Sequence, residues 1–454
     1  MLKAKSGCHI SRLINHISKE MKLYSTNNHQ LAVDIETAVF NSLPADKGLY
    51  MPSFFPQIDS NIIANWDKKT LPEIAFDLAY PLLEDDISKE DLMSIIADAA
   101  NFDAPLKQLE KDVFVLELFH GPSLAFKDFG GRFMSRLMAY FLKKEHKEIK
   151  ILVATSGDTG GAVALGFLNV PGIKVTILYP KGKVSLIQEL QLTTNGNNIE
   201  AIAVDGTFDD CQALVKKAFL DKELNEKLNL TSANSINISR LIPQMFYYAN
   251  TYAQLKDKFD DLIFVTPSGN FGNIAAGMMA YKMGLPVAKF IAATNSNDII
   301  PEFLATGVYN AKPSIQTLAN AMDVGDPSNF VRILDMFNND LESLKSMLTA
   351  YAYDDVAIKA AIAQVYTTRS YVVCPHTATG CLAAAADKIV NPSNKNLAYI
   401  ILATAHPCKF SEVVEEVIDM KVAIPESLEA MQGKPQYKQP ISADYEQLRN
   451  YLLG

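Results

Sequence analysis

The chain has 454 residues, enough for two or three domains and a sizeable hydrophobic core. Its net charge of −9, without a long basic run, argues against nucleic acid or an anionic membrane as a general partner. The five cysteines are scattered and lack metal-ligand spacing, so we expect reduced thiols in a cytoplasmic protein and no metal site. No apolar run is long enough to cross a bilayer.

The first twenty residues form a distinct N-terminal segment. They contain no acid until Glu20 and show a weak amphipathic pattern before a second methionine, Met21. A transit-like presequence, a leader from an upstream start codon and a true first helix all agree with this pattern, whereas a secretory signal lacks its apolar core. We favour an upstream start for residues 1–20. We then expect an N-terminal domain over 21–105, with helices over 71–83 and 88–100.

After this region, short β-rich runs alternate with helical segments. The runs are almost continuously apolar, as expected for strands buried on both faces of a parallel sheet. This pattern predicts a doubly wound α/β fold, in which ligands bind beyond the carboxyl ends of the strands. The predicted strands cover residues 113–119, 149–154, 174–179, 199–204, 262–266, 290–294 and 397–404.

The stretch 120–131, HGPSLAFKDFGG, lies between a predicted strand and a predicted helix over 132–144. Lys127 occupies an apolar run in which an unpaired ammonium is expensive to desolvate. It either pairs with a carboxylate such as Asp128, snorkels to the surface, or stays neutral and nucleophilic. The last state is the one that a Schiff-base lysine requires. This stretch alone does not decide between them.

Three strand ends carry residues suited to ligands. The turn 155–162, TSGDTGGA, frees backbone N–H groups for a carboxylate or phosphate, and the turn 267–273, PSGNFGN, offers a phosphate cradle at the start of a helix over 274–283. Neither turn has the spacing of a Walker A or GxGxxG motif. Each alone is compatible with a tight structural turn. The third end carries Thr404, whose hydroxyl would point into the same crevice, and His406, which we interpret as structural.

Together these residues supply what pyridoxal 5′-phosphate needs, namely an imine-forming lysine, a phosphate site and a partner for the ring nitrogen. The stretch 120–131 closely resembles the lysine motif of the threonine synthase family, whose members share the tryptophan synthase β-like fold (fold type II). Two loops, 156–160 and 268–273, resemble that family's substrate-carboxylate and cofactor-phosphate loops. Further segments similar to the bacterial and fungal members are 234–240, 318–324 and 404–407.

The resemblance implies a domain arrangement. Two doubly wound α/β domains would enclose the active site, beside the N-terminal domain. The larger, cofactor-binding domain would comprise 106–135 and 246–424, and the smaller one 136–245. The tail 425–454 would pack on the surface.

The resemblance also implies roles for individual residues. Lys127 would hold the cofactor through a Schiff base and transfer protons, and Thr404 would hydrogen-bond the pyridine nitrogen. An ionised Asp158 would repel a substrate carboxylate, so we expect it to face the cofactor's O3′ side or a hydrogen-bond donor. The cofactor phosphate would bind the backbone of Gly269, Asn270, Phe271, Gly272 and Asn273. The substrate carboxylate would bind the loop formed by Ser156, Gly157, Asp158 and Thr159.

The implied reaction converts O-phospho-L-homoserine and water to L-threonine and phosphate, the last step of threonine biosynthesis. The substrate phosphate needs a cationic site, for which Arg240, Lys181 and Lys183 are candidates, although each is also compatible with a surface charge. A serine/threonine dehydratase-like lyase would use Lys127 without a second phosphate site, and the sequence of the 271–273 cradle argues against it. A non-catalytic nucleotide- or anion-binding protein that uses the two Gly-rich turns would be colourless. We expect a monomer or homodimer.

Overall fold

The structure is a computed structural model that describes residues 20–145 and 147–454. The expected leader, apart from residue 20, therefore lies outside the described residues. Within these ranges no helix is both long and apolar enough to span a membrane. The strands are β1 (Leu23–Ser25), β2 (Asn28–Val33), β3 (Tyr50–Pro52), β4 (Leu106–Glu110), β5 (Val113–Glu117), β6 (Ile149–Ala154), β7 (Ile173–Pro180), β8 (Ile199–Asp205), β9 (Leu230–Thr231), β10 (Asp261–Pro267), β11 (Lys289–Thr294), β12 (Leu348–Ala352), β13 (Leu397–Ala403) and β14 (Gln439–Ser442).

Helices connect and cover these strands. They are α1 (Ile35–Asn41), α2 (Ser60–Ala64), α3 (Leu71–Leu83), α4 (Lys89–Ala99), α5 (Lys127–Glu145), α6 (Asp158–Phe167), α7 (Leu186–Thr193), α8 (Phe208–Leu220), α9 (Lys222–Leu228), α10 (Ile238–Leu241), α11 (Met245–Leu255), α12 (Gly272–Lys282), α13 (Ile299–Thr306), α14 (Phe330–Met336), α15 (Leu341–Met347), α16 (Asp355–Arg369), α17 (Pro375–Val390), α18 (Ser411–Ile418), α19 (Glu426–Gln432) and α20 (Tyr445–Leu453).

The larger sheet has six strands in the order β12-β11-β10-β13-β5-β4. Its neighbours pair in parallel except for the antiparallel edge pair β4 and β5. The inner strands are buried along almost their whole length, which confirms the interpretation of their apolar runs. The sequence pattern missed the edge strands β4 and β12, because their partly exposed residues interrupt the apolar run.

The smaller sheet has the order β14-β8-β7-β6-β9, and all its pairs are parallel. Strand β14 comes from the tail that we expected only to pack on the surface. Ile441 is its one buried residue, so no apolar run marked it as a strand. Leu448 and Leu452 of α20 are buried in the same core as β8. The tail thus completes this sheet, whereas the domain boundaries themselves stay a prediction.

The N-terminal region combines a three-stranded antiparallel sheet, β2-β1-β3, with helices α3 and α4. Both helices lie where the sequence placed them. Thr70 and Glu73 form a capping box at the start of α3, and the Ser88 side chain caps α4. Buried residues of these helices, including Leu78, belong to the same hydrophobic core cluster as β10 and β13. This region therefore packs onto the rest of the chain.

Candidate active site

The lysine motif is held against the end of strand β13. Phe126 N–H donates to the carbonyl of Thr404 at 2.9 Å, and His406 N–H donates to the carbonyl of Leu124 at 3.0 Å. Leu124 has a left-handed backbone with φ of 56°. The chain turns sharply there, and α5 begins at Lys127, five residues earlier than predicted. Lys127 consequently lies beside the carboxyl end of β13.

Asp128 stabilises this loop and does not neutralise Lys127. Its Oδ2 accepts a 2.9 Å hydrogen bond from Ser123 N–H. A Cβ atom at Gly121 would lie 2.5 Å from the same oxygen, so the close approach requires glycine. Burial raises the pKa of Asp128 to about 6. The structure therefore does not show an ion pair between Lys127 and Asp128, which was one of the alternatives for Lys127.

Lys127 is a largely desolvated amine. Its side chain is 17% exposed, and Asp158 Oδ2 lies 3.9 Å from its Nζ. Burial lowers the pKa of Lys127 to about 8; Asp158 opposes this shift, while Lys409 and Arg240 add to it. An appreciable fraction of the amine is therefore neutral near physiological pH, as nucleophilic attack on an aldehyde requires.

Asp158 faces donors, which was one of the two expectations for it. Its Oδ1 accepts from Lys409 Nζ at 2.7 Å and from Gln188 Nε2 at 3.0 Å. Burial alone would raise the pKa of Asp158, but Lys409 and Lys127 hold it well below its usual range. Lys409 was not predicted from the sequence, although it has the feature that marks Lys127, a lysine between apolar neighbours.

The first Gly-rich turn is a hydrogen-bonded, closely packed loop at the start of α6. Thr155 Oγ1 accepts from the backbone N–H groups of Gly157 at 3.0 Å and Gly160 at 2.8 Å. Gly157 has φ of 138°, and a Cβ there would lie 2.4 Å from Gln188. Ser156 is exposed and Thr159 half-buried. Because the first turn of a helix leaves N–H groups unpaired, this loop suits a carboxylate.

The second Gly-rich turn packs tightly at the start of α12. Phe271 adopts a left-handed backbone with φ of 58°, and the helix begins at Gly272. A Cβ at Gly269 would lie 2.5 Å from the Cα of Met322, so segment 318–324 forms one wall of the turn. The Asn270 side chain holds the turn further, donating to Ser235 Oγ at 2.8 Å and accepting from Ser328 N–H at 2.6 Å.

Two buried amide donors make this turn fit a phosphate. Asn273 Nδ2 and Asn329 Nδ2 are buried without a hydrogen-bond partner in the described part of the chain. Asn329 Nδ2 lies 3.3 Å from the position of a Cβ built on Gly272, at the first turn of α12. Unpaired buried donors are costly, so their presence at a helix N-terminus indicates an anion ligand.

The end of β13 presents a free hydroxyl. Among the described residues the Thr404 side chain has no hydrogen-bond partner, so it is available to a ring nitrogen. His406 Nδ1 accepts from Cys408 N–H at 3.2 Å, in agreement with a structural role. His376 was not predicted from the sequence. It is buried, its Nε2 accepts from Ala321 N–H at 3.2 Å, and burial lowers its pKa to about 4.

Of the three candidate cations, the structure brings only Arg240 to the site. Arg240 is 2% exposed; its Nη1 donates to the carbonyl of Ala233 at 2.6 Å, and its buried Nε has no partner in residues 20–145 and 147–454. That Nε lies 2.8 Å from the position of a Cβ on Gly130 of α5. Lys181 and Lys183 are exposed after β7, without a hydrogen bond or ion pair to the site.

A desolvated lysine, two anion cradles at strand ends and a free strand-end hydroxyl define a pyridoxal-phosphate-dependent enzyme of fold type II. Residues 98–401 match the family described as "Pyridoxal-phosphate dependent enzyme". Residues 22–100 match "Threonine synthase N terminus", and residues 377–452 match "Threonine synthase, C-terminal". The chain belongs to the threonine synthase family, and its cofactor is pyridoxal 5′-phosphate.

Known relatives cover nearly the whole chain. A threonine synthase of Escherichia coli (strain K12) is 41% identical over 435 residues, which cover 96% of this chain and 100% of the relative. The crystal structure of threonine synthase from Escherichia coli superposes with a TM-score of 0.87 at 40% identity and covers 95% of this chain and 99% of that one. The PLP-bound threonine synthase from Brucella melitensis superposes with a TM-score of 0.89 at 32% identity, with the same coverage of 95% and 99%.

Proposed function

We propose that the chain converts O-phospho-L-homoserine and water to L-threonine and phosphate, the last step of threonine biosynthesis. The observation that carries the proposal is the buried Arg240 with its unpartnered Nε. Arg240 Nε lies 2.8 Å from the position of a Cβ on Gly130, three residues after Lys127, and would offer a second anion site apart from the cradle at 269–273. A substrate that carries its own phosphate needs such a site, whereas serine or threonine does not.

The cofactor supplies an aldehyde that condenses with amines and a conjugated ring that withdraws electrons from the substrate's α-carbon. Lys127 would hold the aldehyde end. The backbone N–H groups of 269–273, with the amides of Asn273 and Asn329, would hold the phosphate. Thr404 would bind the ring nitrogen through its hydroxyl, and a neutral partner leaves that nitrogen largely unprotonated.

The remaining residues would orient the substrate and move protons. Lys127 Nζ, neutral in part near pH 7, can take a proton from one substrate carbon and return it to another. The loop 156–159 would receive the substrate carboxylate at the start of α6. Arg240 would hold the substrate phosphate and stabilise its charge as it leaves. The exposed Lys181 and Lys183 would act at most from the rim of the crevice.

Three further expectations remain proposals. We infer a cytoplasmic location from the scattered, reduced cysteines. We also propose that the chain acts as a monomer or homodimer. With a net charge of −9, it should have no nucleic-acid partner.

The direct test is phosphate release from O-phospho-L-homoserine by the purified holoenzyme, with L-threonine as the second product. We expect stoichiometric phosphate and threonine, and no keto acid from serine or threonine. Deamination of serine without phosphate release would support the dehydratase alternative. A colourless protein that binds anions without turnover would support the non-catalytic one.

Asn329→Leu should weaken cofactor binding. Asn329 is fully buried and its Nδ2 has no partner in the described residues, so the substitution removes a candidate donor to the phosphate. It also removes the Oδ1 acceptor of the buried Arg332, so the Kd is compared only after thermal unfolding has shown that the variant is folded. A lost hydrogen bond to a charged group corresponds to a roughly 10- to 100-fold higher Kd. Absorbance titration of cofactor-free protein with pyridoxal phosphate measures this. The exposed Asn310→Leu is the control and should leave the Kd unchanged.

A further inference from the structure

Lys409 is a completely buried lysine with two partners. It lies in the 3-10 turn Pro407–Phe410 that follows β13, and its side chain is 0% exposed. Its Nζ lies 2.7 Å from Asp158 Oδ1 and donates to the carbonyl of Ser123 at 2.9 Å. A buried ammonium costs several kcal/mol unless it is paired. Its position between the lysine motif and α6 therefore requires an explanation.

Asp158 connects two lysines through different oxygens. Lys409 and Gln188 occupy Oδ1, and this directs Oδ2 towards Lys127 at 3.9 Å. Because Lys409 already balances the charge of Asp158, the carboxylate does not need a second cation. Lys127 therefore faces a compensated ion pair instead of an isolated negative charge.

The other charged groups around Lys127 do not replace this compensation. Arg240 of α10 adds positive charge and disfavours a second ammonium. His376 of α17 is neutral at physiological pH, because burial lowers its pKa to about 4. Asp128, the next residue of α5, accepts from Ser123 N–H, and the cations that act to lower its pKa are Lys409 and Arg132. Asp158 is thus the carboxylate that would stabilise Lys127 as an ammonium if Lys409 did not balance the charge of Asp158.

We propose that Lys409 is a positioning residue that neutralises and orients Asp158, so that Lys127 remains a free amine able to react with the cofactor aldehyde. The inference rests on the role proposed for Lys127 and not on the identity of the substrate. The hydrogen bond from Lys409 Nζ to the Ser123 carbonyl holds Lys409 in the position that this role requires. Gln191 Nε2 donates to the same carbonyl at 3.0 Å and so helps to hold that oxygen in place. Lys409 thereby also joins the lysine motif to the start of α6.

The test measures the pKa of Lys127 itself. Cofactor-free full-length protein is labelled with a trace of acetic anhydride across a pH series, and mass spectrometry follows the Lys127 peptide. In Lys409→Met, Asp158 loses its counter-ion and pairs with Lys127, so the labelling midpoint should rise by about one unit or more. At pH 7 this corresponds to roughly 10-fold less labelling.

A double variant separates charge compensation from simple structural support. Lys409→Met combined with Asp158→Asn removes both charges of the pair, so the midpoint should return to the wild-type value or fall below it. Asp158→Asn alone leaves Lys409 unpaired beside Lys127 and should also lower the midpoint. If Lys409→Met does not fold, these two variants still decide, because a raised midpoint in either one contradicts the proposal.

The matched control breaks a comparable ion pair elsewhere. Lys289 Nζ lies 2.8 Å from Asp387 Oδ1, and the Asp387 side chain is 1% exposed. Lys289→Met should leave the Lys127 midpoint unchanged. A folded Lys409→Met with an unshifted midpoint would overturn the inference. If the variants show the expected midpoints but the wild-type protein releases no phosphate, only the proposed reaction is contradicted.

Discussion

Lys127→Ala should lower phosphate release from O-phospho-L-homoserine by at least about 10³-fold. Lys127 Nζ lies 3.9 Å from Asp158 Oδ2 at the start of α6, and its loss would remove the proposed covalent attachment of the cofactor as well as the group proposed to move protons. The cofactor-loaded variant should also lose the visible absorbance of the protein–cofactor imine. Its borohydride-reducible adduct should disappear from the 127 peptide.

The fold of Lys127→Ala should remain intact, which separates lost chemistry from misfolding. Burial of this amine opposes folding while it is charged, because its folded-state pKa is about 8 against an ordinary value of 10.5. Cofactor-free wild-type protein should therefore gain stability relative to the variant as the pH rises from about 8 towards 10.5. Thermal unfolding at pH 7.5 and pH 10 measures this. A persistent imine in the variant would refute the assignment of Lys127.

Arg332→Met should lower the free energy of unfolding by about 3 kcal/mol. Arg332 is 0% exposed, and no carboxylate pairs with it in the part of the chain that the structure describes. Its guanidinium donates to the carbonyls of Tyr50 at 3.1 Å and Ile236 at 2.6 Å, and to Asn329 Oδ1 at 2.5 Å. Without it, acceptors from three separate segments are buried unpaired, each at about 1–3 kcal/mol. The desolvation cost of the cation offsets part of this loss.

Chemical denaturation of cofactor-free protein measures the effect of Arg332→Met. Arg369→Met is the matched control, because Arg369 is 38% exposed and pairs with the exposed Glu110. A surface pair of this kind contributes about 0–1 kcal/mol. If both variants lost the same free energy of unfolding, the hydrogen bonds of Arg332 to Tyr50, Ile236 and Asn329 would contribute no more stability than a surface ion pair.

The sequence predicted the parts of the site that depend on local geometry. A lysine in an apolar run, a Gly-rich turn after a strand and a hydroxyl at a strand end each have a local signature. The structure brings Lys127 to 3.9 Å from Asp158, holds its motif against Thr404 at the end of β13, and packs Arg240 against Gly130 of α5. That these residues form one binding site stays a prediction. Lys181 and Lys183 are exposed after β7 and stay predictions as ligands, because a lysine next to a glycine in a loop has the same local pattern whether it is solvated or faces a substrate.

The residues that the sequence analysis missed act through partners that are distant along the chain. Lys409 pairs with Asp158, Asn329 faces Gly272 and His376 faces Ala321, and none of these pairs has a spacing that a local pattern can register. Strand β14 was missed for a similar reason, since its pairing with β8 makes it a strand despite a mostly exposed sequence.

The sequence by itself therefore determined the α/β class and, through its motifs, the family, whereas the reactive lysine and the two anion-binding turns stay predictions. Only the tertiary structure decided which charges balance one another. Whether a buried lysine is an ammonium or a free amine depends on the carboxylates and cations that folding brings within a few ångströms of it. In this chain that decision rests with Asp158 and Lys409, on two segments about 250 residues apart.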